Sequence, residues 1–477
     1  MSAIVVDLQD HRSRILSRAP AAPTNKPSSA GFHFTSGQRQ AYYGILDAIH
    51  RKNYPGALLQ GYAGCGKTVL AAQIIRRLQE DGYRVAVTAP THKAVQVLTR
   101  TLATELQMPE TMTVHALLGL RLVRFLNGSQ SFQPSSHNKI HNFNVIIVDE
   151  CSMIDSRFFH LLQEGNAFLL FLGDPAQLPP VGSHQPSPVF ESRHLLRFML
   201  DEVIRQSNGS PILGLAQDIR RQNDSQFPVQ ELHRYADGES LQVFTRSTFH
   251  HAWKDSNTRI LAWRNQSVNQ YNSILHDALF PTDRMPYSAG ERIVLQESTH
   301  AKINDQILLL ANGGEGTLKS IQDIAHPDWP HIPTWKMNVI MDSVIAYDDR
   351  EDGDPESDHS DQHRHVLQQV GITLWIPKDA RSVHAQADDY FRMYRLESTR
   401  KNETKAREYS MLGWKLRDDF TDVKQAYSST VHKSQGSTYD TAIVDIADLA
   451  HPKASPVFNR LLYTAVTRPR RKLILVV

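Results

Sequence analysis

Two cysteines, Cys65 and Cys151, are all that 477 residues contain, so no disulfide framework holds this chain. That scarcity points to a reducing compartment. No apolar run approaches the ~18 residues of a membrane-spanning helix. Near the start, Ala3–Val6 is cut off by Asp7 and is too short for a secretory leader. An excess of one charge is missing as well: 52 Lys and Arg against 50 Asp and Glu leave a net charge of +2. A polyanionic partner is therefore allowed, but any basic track for it must be local. Internal repeats are absent. Residues 348–361 hold eight carboxylates in fourteen positions, but without the spacing of a calcium loop. They read as a solvated acidic loop.

What is present is the composition of a soluble globular protein, 40% hydrophobic and 21% charged. The length suffices for two or three domains. Residues 1–30, rich in Pro, Ala and Ser, are predicted to be a disordered tail. Its Arg12, Arg14 and Arg18 suit either a partner or a solvated lead-in. Residues 31–192 alternate between strand-like and helix-like segments, which predicts a parallel α/β layer. The strands are expected at 57–60, 84–88, 145–148 and 168–172. Between about 117 and 140 the alternation breaks, and residues 122–132 read as a β-hairpin turning at Asn127-Gly128. The α/β pattern resumes at 193–275, yields to a β-rich insertion at 276–417, and returns at 418–477.

The stretch GYAGCGKT supplies Gly61, Gly66, Lys67 and Thr68 in the spacing G-x-x-x-x-G-K-[ST]. An apolar strand segment, Ala57–Gln60, precedes it, and helix-forming Val69–Ile75 follows. Loops in this context cradle phosphates: the backbone through Ala63, Gly64 and Cys65 closes around the oxygens, and the helix N-terminus adds its dipole. Lys67 is expected to reach the β- and γ-phosphates of ATP, and Thr68 to ligate Mg²⁺. Hydrolysis needs a carboxylate for the metal and a group to activate water. VIIVDE provides Asp149 for the first and Glu150 as general base, at a strand end where open α/β sheets place their sites. Gln177, in GDPAQLPP, offers an amide to the γ-phosphate or the water.

Taken together, these motifs resemble a superfamily 1 helicase of the 5′→3′ RecD-like and phage Dda-type branch, over roughly residues 31–477. FTSGQRQAY resembles its Q motif, TAPTHKAV and TVHALLG its motifs Ia and Ib, and DECSMID and GDPAQLPPVG its motifs II and III. LDEVIRQSNGSPI, STVHKSQGSTYD and LLYTAVTRPRRKL resemble motifs IV, V and VI. The resemblance implies an α/β fold of two RecA-like P-loop domains. The first would carry a β-hairpin insertion and the second a small SH3-like β-barrel. It implies that Gln38 reads adenine, that Gly436 lies at the nucleotide, and that Arg205 and Arg468 are arginine fingers. Arg470 and Arg471 are rivals to Arg468, and Tyr463 either stacks on the base or packs in the core.

For the nucleic-acid track the resemblance points to Thr88, Pro90, Thr91, His92 and Lys93, to Thr113 and His115, and to Thr430, His432, Lys433, Ser434 and Gln435. Trp263 and Asn265 match a further strand contact, with core packing as the alternative for Trp263. The hairpin would be the pin that splits a duplex, with Phe125 or Phe132 stacking at the fork. The implied activity is ATP-dependent 5′→3′ DNA unwinding in replication, recombination or repair. The alternatives are an RNA or RNA–DNA helicase and a nucleotide-switched clamp that does not unwind. Expected partners are single-stranded DNA, duplex forks, and single-strand-binding or replication proteins. A monomer is expected, in the cytoplasm of a bacterial or phage-infected cell, near the nucleoid.

Overall fold

The strands that carry the motifs are apolar on both faces, which is the pattern of a parallel sheet covered by helices. The computed structural model describes residues 34–102, 109–124, 130–134, 138–202, 210–222, 225–245, 257–280, 285–303, 306–348 and 365–477. The N-terminal tail, Phe125, Arg205 and all but the first residue of the acidic run lie outside these. The chain divides into two compact units: Ser36–Arg284 with Gln425–Val477, and Met285–Lys424.

The first unit contains two parallel sheets. In the first sheet, helix α1 (Ser36–Arg51) leads into β1 (Gly56–Gly61), α2 (Lys67–Glu80), β2 (Val85–Ala89), α3 (His92–Leu102), β3 (Glu110–Thr113) and the one-turn α4 (Val114–Leu117). An antiparallel pair follows, β4 (Leu120–Arg124) with β5 (Gln130–Pro134), before β6 (Val145–Val148), α5 (Ser156–Gln163), β7 (Phe168–Gly173) and β8 (Leu196–Leu200). Six strands run in the order β3-β2-β6-β7-β1-β8, with every recorded pair parallel. The strands expected at 57–60, 84–88, 145–148 and 168–172 are all there, each within a residue or so of its predicted ends.

The second sheet begins after α6 (Pro211–Arg221). It is built from β9 (Leu241–Phe244), β10 (Thr258–Ala262) and α7 (Asn265–Leu279). The other unit intervenes before its remaining strands. Five strands lie in the order β18-β10-β19-β20-β9, again parallel throughout. Here β18 is Ser428–Thr430, β19 Tyr439–Asp445 and β20 Pro469–Val476.

The unit Met285–Lys424 is antiparallel. Strands β11 (Arg292–Leu295), β12 (Thr299–Ile303), β13 (Gln306–Leu310), β14 (Glu315–Asp323), β15 (Thr334–Asp348) and β16 (His365–Pro377) are joined by β17 (Val423–Gln425), which runs to the boundary. Its core is aliphatic, with Ile293, Leu318, Met337, Val339 and Val344 fully buried. The β-rich character expected for this insertion is only part of it. Two long helices, α8 (Ala380–Thr399) and α9 (Glu403–Asp419), pack on one another between β16 and β17. Asp379 and Asn402 cap them, each side chain accepting a backbone N–H of the first turn. The short helix α10 (Ile446–Leu449) and α11 (Phe458–Val466) lie between β19 and β20 and return to the first unit.

Candidate nucleotide and nucleic-acid site

The loop 61–66 joins the end of β1 to α2. Gly66 has φ of 82° and starts α2 from the left-handed region, where a side chain would be strained. Lys67 follows it. Its Nζ donates to the carbonyls of Gly61 at 2.6 Å and Tyr62 at 3.1 Å, so the loop closes on its own lysine. Gln38 is buried, and its amide donates to the Cys65 carbonyl at 3.3 Å. The Q-motif glutamine thus braces the phosphate loop from α1. Thr68 stands in the first turn of α2 behind Lys67. Both cysteines are buried and unpaired, Cys65 in this loop and Cys151 beside the carboxylates.

At the end of β6 the backbone turns sharply. Glu150 has φ of 52°, a conformation that a residue with a Cβ seldom adopts and that tends to occur at functional sites. The turn lets Asp149 and Glu150 both leave the sheet, and the Glu150 N–H donates to Asp149 Oδ1 at 2.8 Å. Burial raises both carboxyls. For Glu150, burial acts first and the neighbouring Asp149 charge second, pushing it to about 7, against the pull of Arg468 and Lys67. A carboxylate poised near neutrality suits a general base.

The second sheet supplies the opposite wall. Arg468 is buried and fixed by its own segment: Nε donates to the Thr464 carbonyl, Nη1 to the Ser437 carbonyl and Nη2 to Thr467 Oγ1. Gly436 has φ of 75°, and a Cβ there would stand in ordinary contact with Glu150 Oε1, at 3.9 Å. Three residues of this wall make contacts that the sequence did not reveal, two with the loop after β7 and one with the phosphate loop. Tyr463 Oη donates to Asp174 Oδ2 at 2.7 Å. Arg460 donates to the carbonyls of Pro175 and Gln177. Arg220 stacks on the Tyr62 ring, 3.2 Å from its centroid. An open groove of about 490 Å³ is lined by Tyr62, Arg220, Arg460 and Tyr463. Tyr463 is therefore a buried hydrogen-bonding core residue, which decides between its two sequence readings. Tyr463→Phe leaves the buried Asp174 short of a donor and should lower unfolding free energy by about 1–3 kcal/mol. Urea denaturation measures it, and an unchanged midpoint would deny the bond any weight.

The predicted track residues separate into groups. Thr88 is corrected: it is wholly buried in β2, and its hydroxyl donates to the Ile147 carbonyl, so it belongs to the sheet and has no face for a strand. Pro90, Thr91, His92 and Lys93 are half-buried at the start of α3, where Thr91 Oγ1 accepts from the Ala94 N–H. His115 lies between the rings of Phe132 and Phe158, at 4.2 and 4.7 Å. Burial, then the His92 charge, lowers it to about 4, so it is neutral at physiological pH. Phe132 is held against the body by this stack, and its carbonyl accepts from Arg157. Thr113 caps α4 through its side chain.

Trp263 packs on the core of the second sheet and against the His451 ring, while Asn265 is exposed at the start of α7. Thr430 is buried and its Oγ1 accepts the Lys433 N–H. His432 is half-buried, lowered by that burial, and Lys433 is exposed. Ser434 and Gln435 are corrected in turn: both are buried and face inward.

Parallel sheets with a phosphate loop at their strand ends, two carboxylates, and a second wall bearing a buried arginine define a P-loop NTPase of RecA-like build. Residues 33–246 match the family described as an AAA domain, and residues 425–476 the UvrD-like helicase C-terminal domain. The ATP-dependent DNA helicase dda of Enterobacteria phage T4 is 25% identical, over 91% of this chain and 97% of that one. The uncharacterized protein R530 of Acanthamoeba polyphaga mimivirus is 22% identical over 92% of this chain and 99% of its own length. Among solved structures, a Pif1 helicase from Candida albicans superposes with a TM-score of 0.51 at 17% identity, covering 94% of both chains. Bacteroides Pif1 bound to ssDNA gives 0.51 at 16% identity, covering 94% of this chain and 93% of that one. Over nearly its whole length the chain is thus similar to superfamily 1 helicases of the Dda and Pif1 kind.

Proposed function

We propose that the chain is an ATP-driven motor that moves 5′→3′ along single-stranded DNA and opens duplex at a fork. The observation that carries the chemistry is Glu150, a carboxylate turned out of the sheet between Lys67 and the Arg468 wall and raised toward neutrality. In hydrolysis the water oxygen bonds to the γ-phosphorus and the proton passes to Glu150. The bond to the β–γ bridging oxygen breaks, with its electron pair leaving on ADP. Lys67 and Arg468, joined by Arg205, meet the charge that develops, and Gln177 orients the γ-phosphate and water. Gln38 and the backbone of Gly61, Ala63, Gly64, Cys65 and Gly66 hold the nucleotide, with Gly436 closing over it.

Asp149 and the Thr68 hydroxyl are hard oxygen donors of the kind Mg²⁺ prefers, and the burial that raises Asp149 leaves a carboxylate that gains from a cation. Bound there, Mg²⁺ would neutralise phosphate charge. An arginine on the second wall, Arg468, would make cleft closure depend on the γ-phosphate, and loss of that phosphate would release it, so each turnover is one closing and one opening. The strand would run over Pro90, Thr91, His92, Asn265, Trp263, His432 and Lys433, and the β4–β5 hairpin, with Phe125 or Phe132, would meet the fork. The inserted unit reads as the SH3-like module of such motors. Among the described residues no helix is long and apolar enough to cross a membrane, and the protein is read as a monomer working with single-strand-binding or replication proteins.

The test is unwinding of 5′-tailed against 3′-tailed duplex DNA with ATP and Mg²⁺. Opening of only the 5′-tailed substrate is expected. Preference for the 3′ tail would refute the direction, and DNA-stimulated hydrolysis without unwinding would leave a translocase.

A further inference from the structure

Gln435 stands on a tight turn that bonds mostly to itself. The Ser434 N–H donates to the Thr430 carbonyl, and the Gln435 N–H to that of His432. The turn has two faces. His432 and Lys433 lie outward, whereas Gln435 is 5% exposed and reaches into the first wall. There its single NH₂ group lies 3.3 Å from Ser152 Oγ and 3.4 Å from Gln177 Oε1. Gln177 is 4% exposed and Ser152 2%, so water does not readily replace these bonds. The next residue, Gly436, brings the same turn against Ala94 and Glu150 Oε1.

We propose that Gln435 is a positioning residue that fixes which end of the Gln177 amide faces the γ-phosphate. An amide has one accepting oxygen and one donating NH₂. With the Gln177 oxygen occupied by Gln435, the end left for the cleft is the NH₂, which can only donate. Gln177 then steadies phosphate charge and cannot take the proton of the water. That leaves proton acceptance to Glu150 alone. Because Gln435 shares its turn with His432 and Lys433, a strand pressing on the outer face shifts the donor that sets Gln177. The coupling of track and hydrolysis rests on the helicase reading above; the orientation of Gln177 does not.

The experiment is a double-mutant cycle on the full chain, reading ATP hydrolysis with Mg²⁺, both without nucleic acid and with saturating oligo(dT). The variants are Gln435→Ala, Gln435→Glu, Gln177→Ala and the double Ala variant. Gln435→Ala and Gln435→Glu are each expected to lower kcat by about tenfold, with KM for ATP within about twofold of the parent. The Glu variant matters most: it is isosteric and fills the same space but offers only acceptors, so Gln177 must turn its NH₂ away from the cleft. Once Gln177 is Ala, adding Gln435→Ala should cost less than about twofold more. Parental kcat in Gln435→Glu, or losses that simply multiply in the double variant, would overturn the proposal. Thermal melting of the Glu variant separates this from misfolding. Absence of oligo(dT) stimulation in the parent counts against the motor, while the cycle on basal hydrolysis still decides for or against Gln435.

Discussion

Glu150→Gln is expected to slow ATP turnover by a factor of about 10²–10⁴ while ATP and single-stranded DNA still bind. The substitution keeps the length of the side chain and its planar end. It also leaves the backbone N–H that donates to Asp149 Oδ1. What it removes is the proton acceptor. It removes a charge as well: the Asp149 charge raises the cost of ionising Glu150, and the amide ends that repulsion. Nucleotide affinity should therefore hold or rise, because the phosphates meet one carboxylate fewer. Steady-state hydrolysis with oligo(dT) gives kcat, and a fluorescent ATP analogue gives the affinity. Slow turnover with retained binding identifies the base. Turnover equal to the parent would remove Glu150 from that role and reopen the clamp reading, in which hydrolysis is incidental. Weak binding would instead mean that the left-handed turn at residue 150 had been lost.

Local signals were legible and distant ones were not. The strand-loop-helix around Lys67 and the acidic pair after β6 each fall within one short continuous stretch, 57–75 and 145–150, and their chemistry is written in that span. The strand ends followed, because a buried parallel strand is a short apolar run with a charged or glycine residue at its exit. Thr88 shows where this reading fails. It is polar and stands in a helicase motif, yet it is the fourth residue of a strand buried at every position. Motif membership said surface; the period of the sheet said interior. The bonds of Tyr463 to Asp174 and of Gln435 to Gln177 join residues 289 and 258 positions apart, so no local pattern announces them. They exist because the loop after β7 meets segments that flank the strands of the second sheet. The helices α8 and α9 were hidden differently: they lie in the insertion at 276–417 that was read as β-rich from signals confined to about 286–320.

Lys67→Met is expected to reduce hydrolysis by on the order of 10³-fold and to abolish unwinding. The reasoning begins with what the lysine does now. Its ammonium satisfies the carbonyls of Gly61 and Tyr62 and lowers the cost of ionising both Asp149 and Glu150. When a triphosphate enters, its oxygens are far better partners than two neutral carbonyls, since a bond between opposite charges is about twice as strong. Met retains the aliphatic stem and therefore the packing, but supplies neither donor nor charge. Both carbonyls then lose the ammonium, with Tyr62 keeping only the Cys65 N–H, and the buried carboxylates lose their cation. ATP binding should weaken along with kcat, which distinguishes this variant from Glu150→Gln, where binding survives. Filter binding of labelled ATP and a coupled hydrolysis assay separate the two, with thermal melting as the check on folding. Hydrolysis within tenfold of the parent in a folded Lys67→Met protein would mean that the triphosphate is held elsewhere, and the wall formed by Arg220, Arg460 and Tyr463 would then be the place to look.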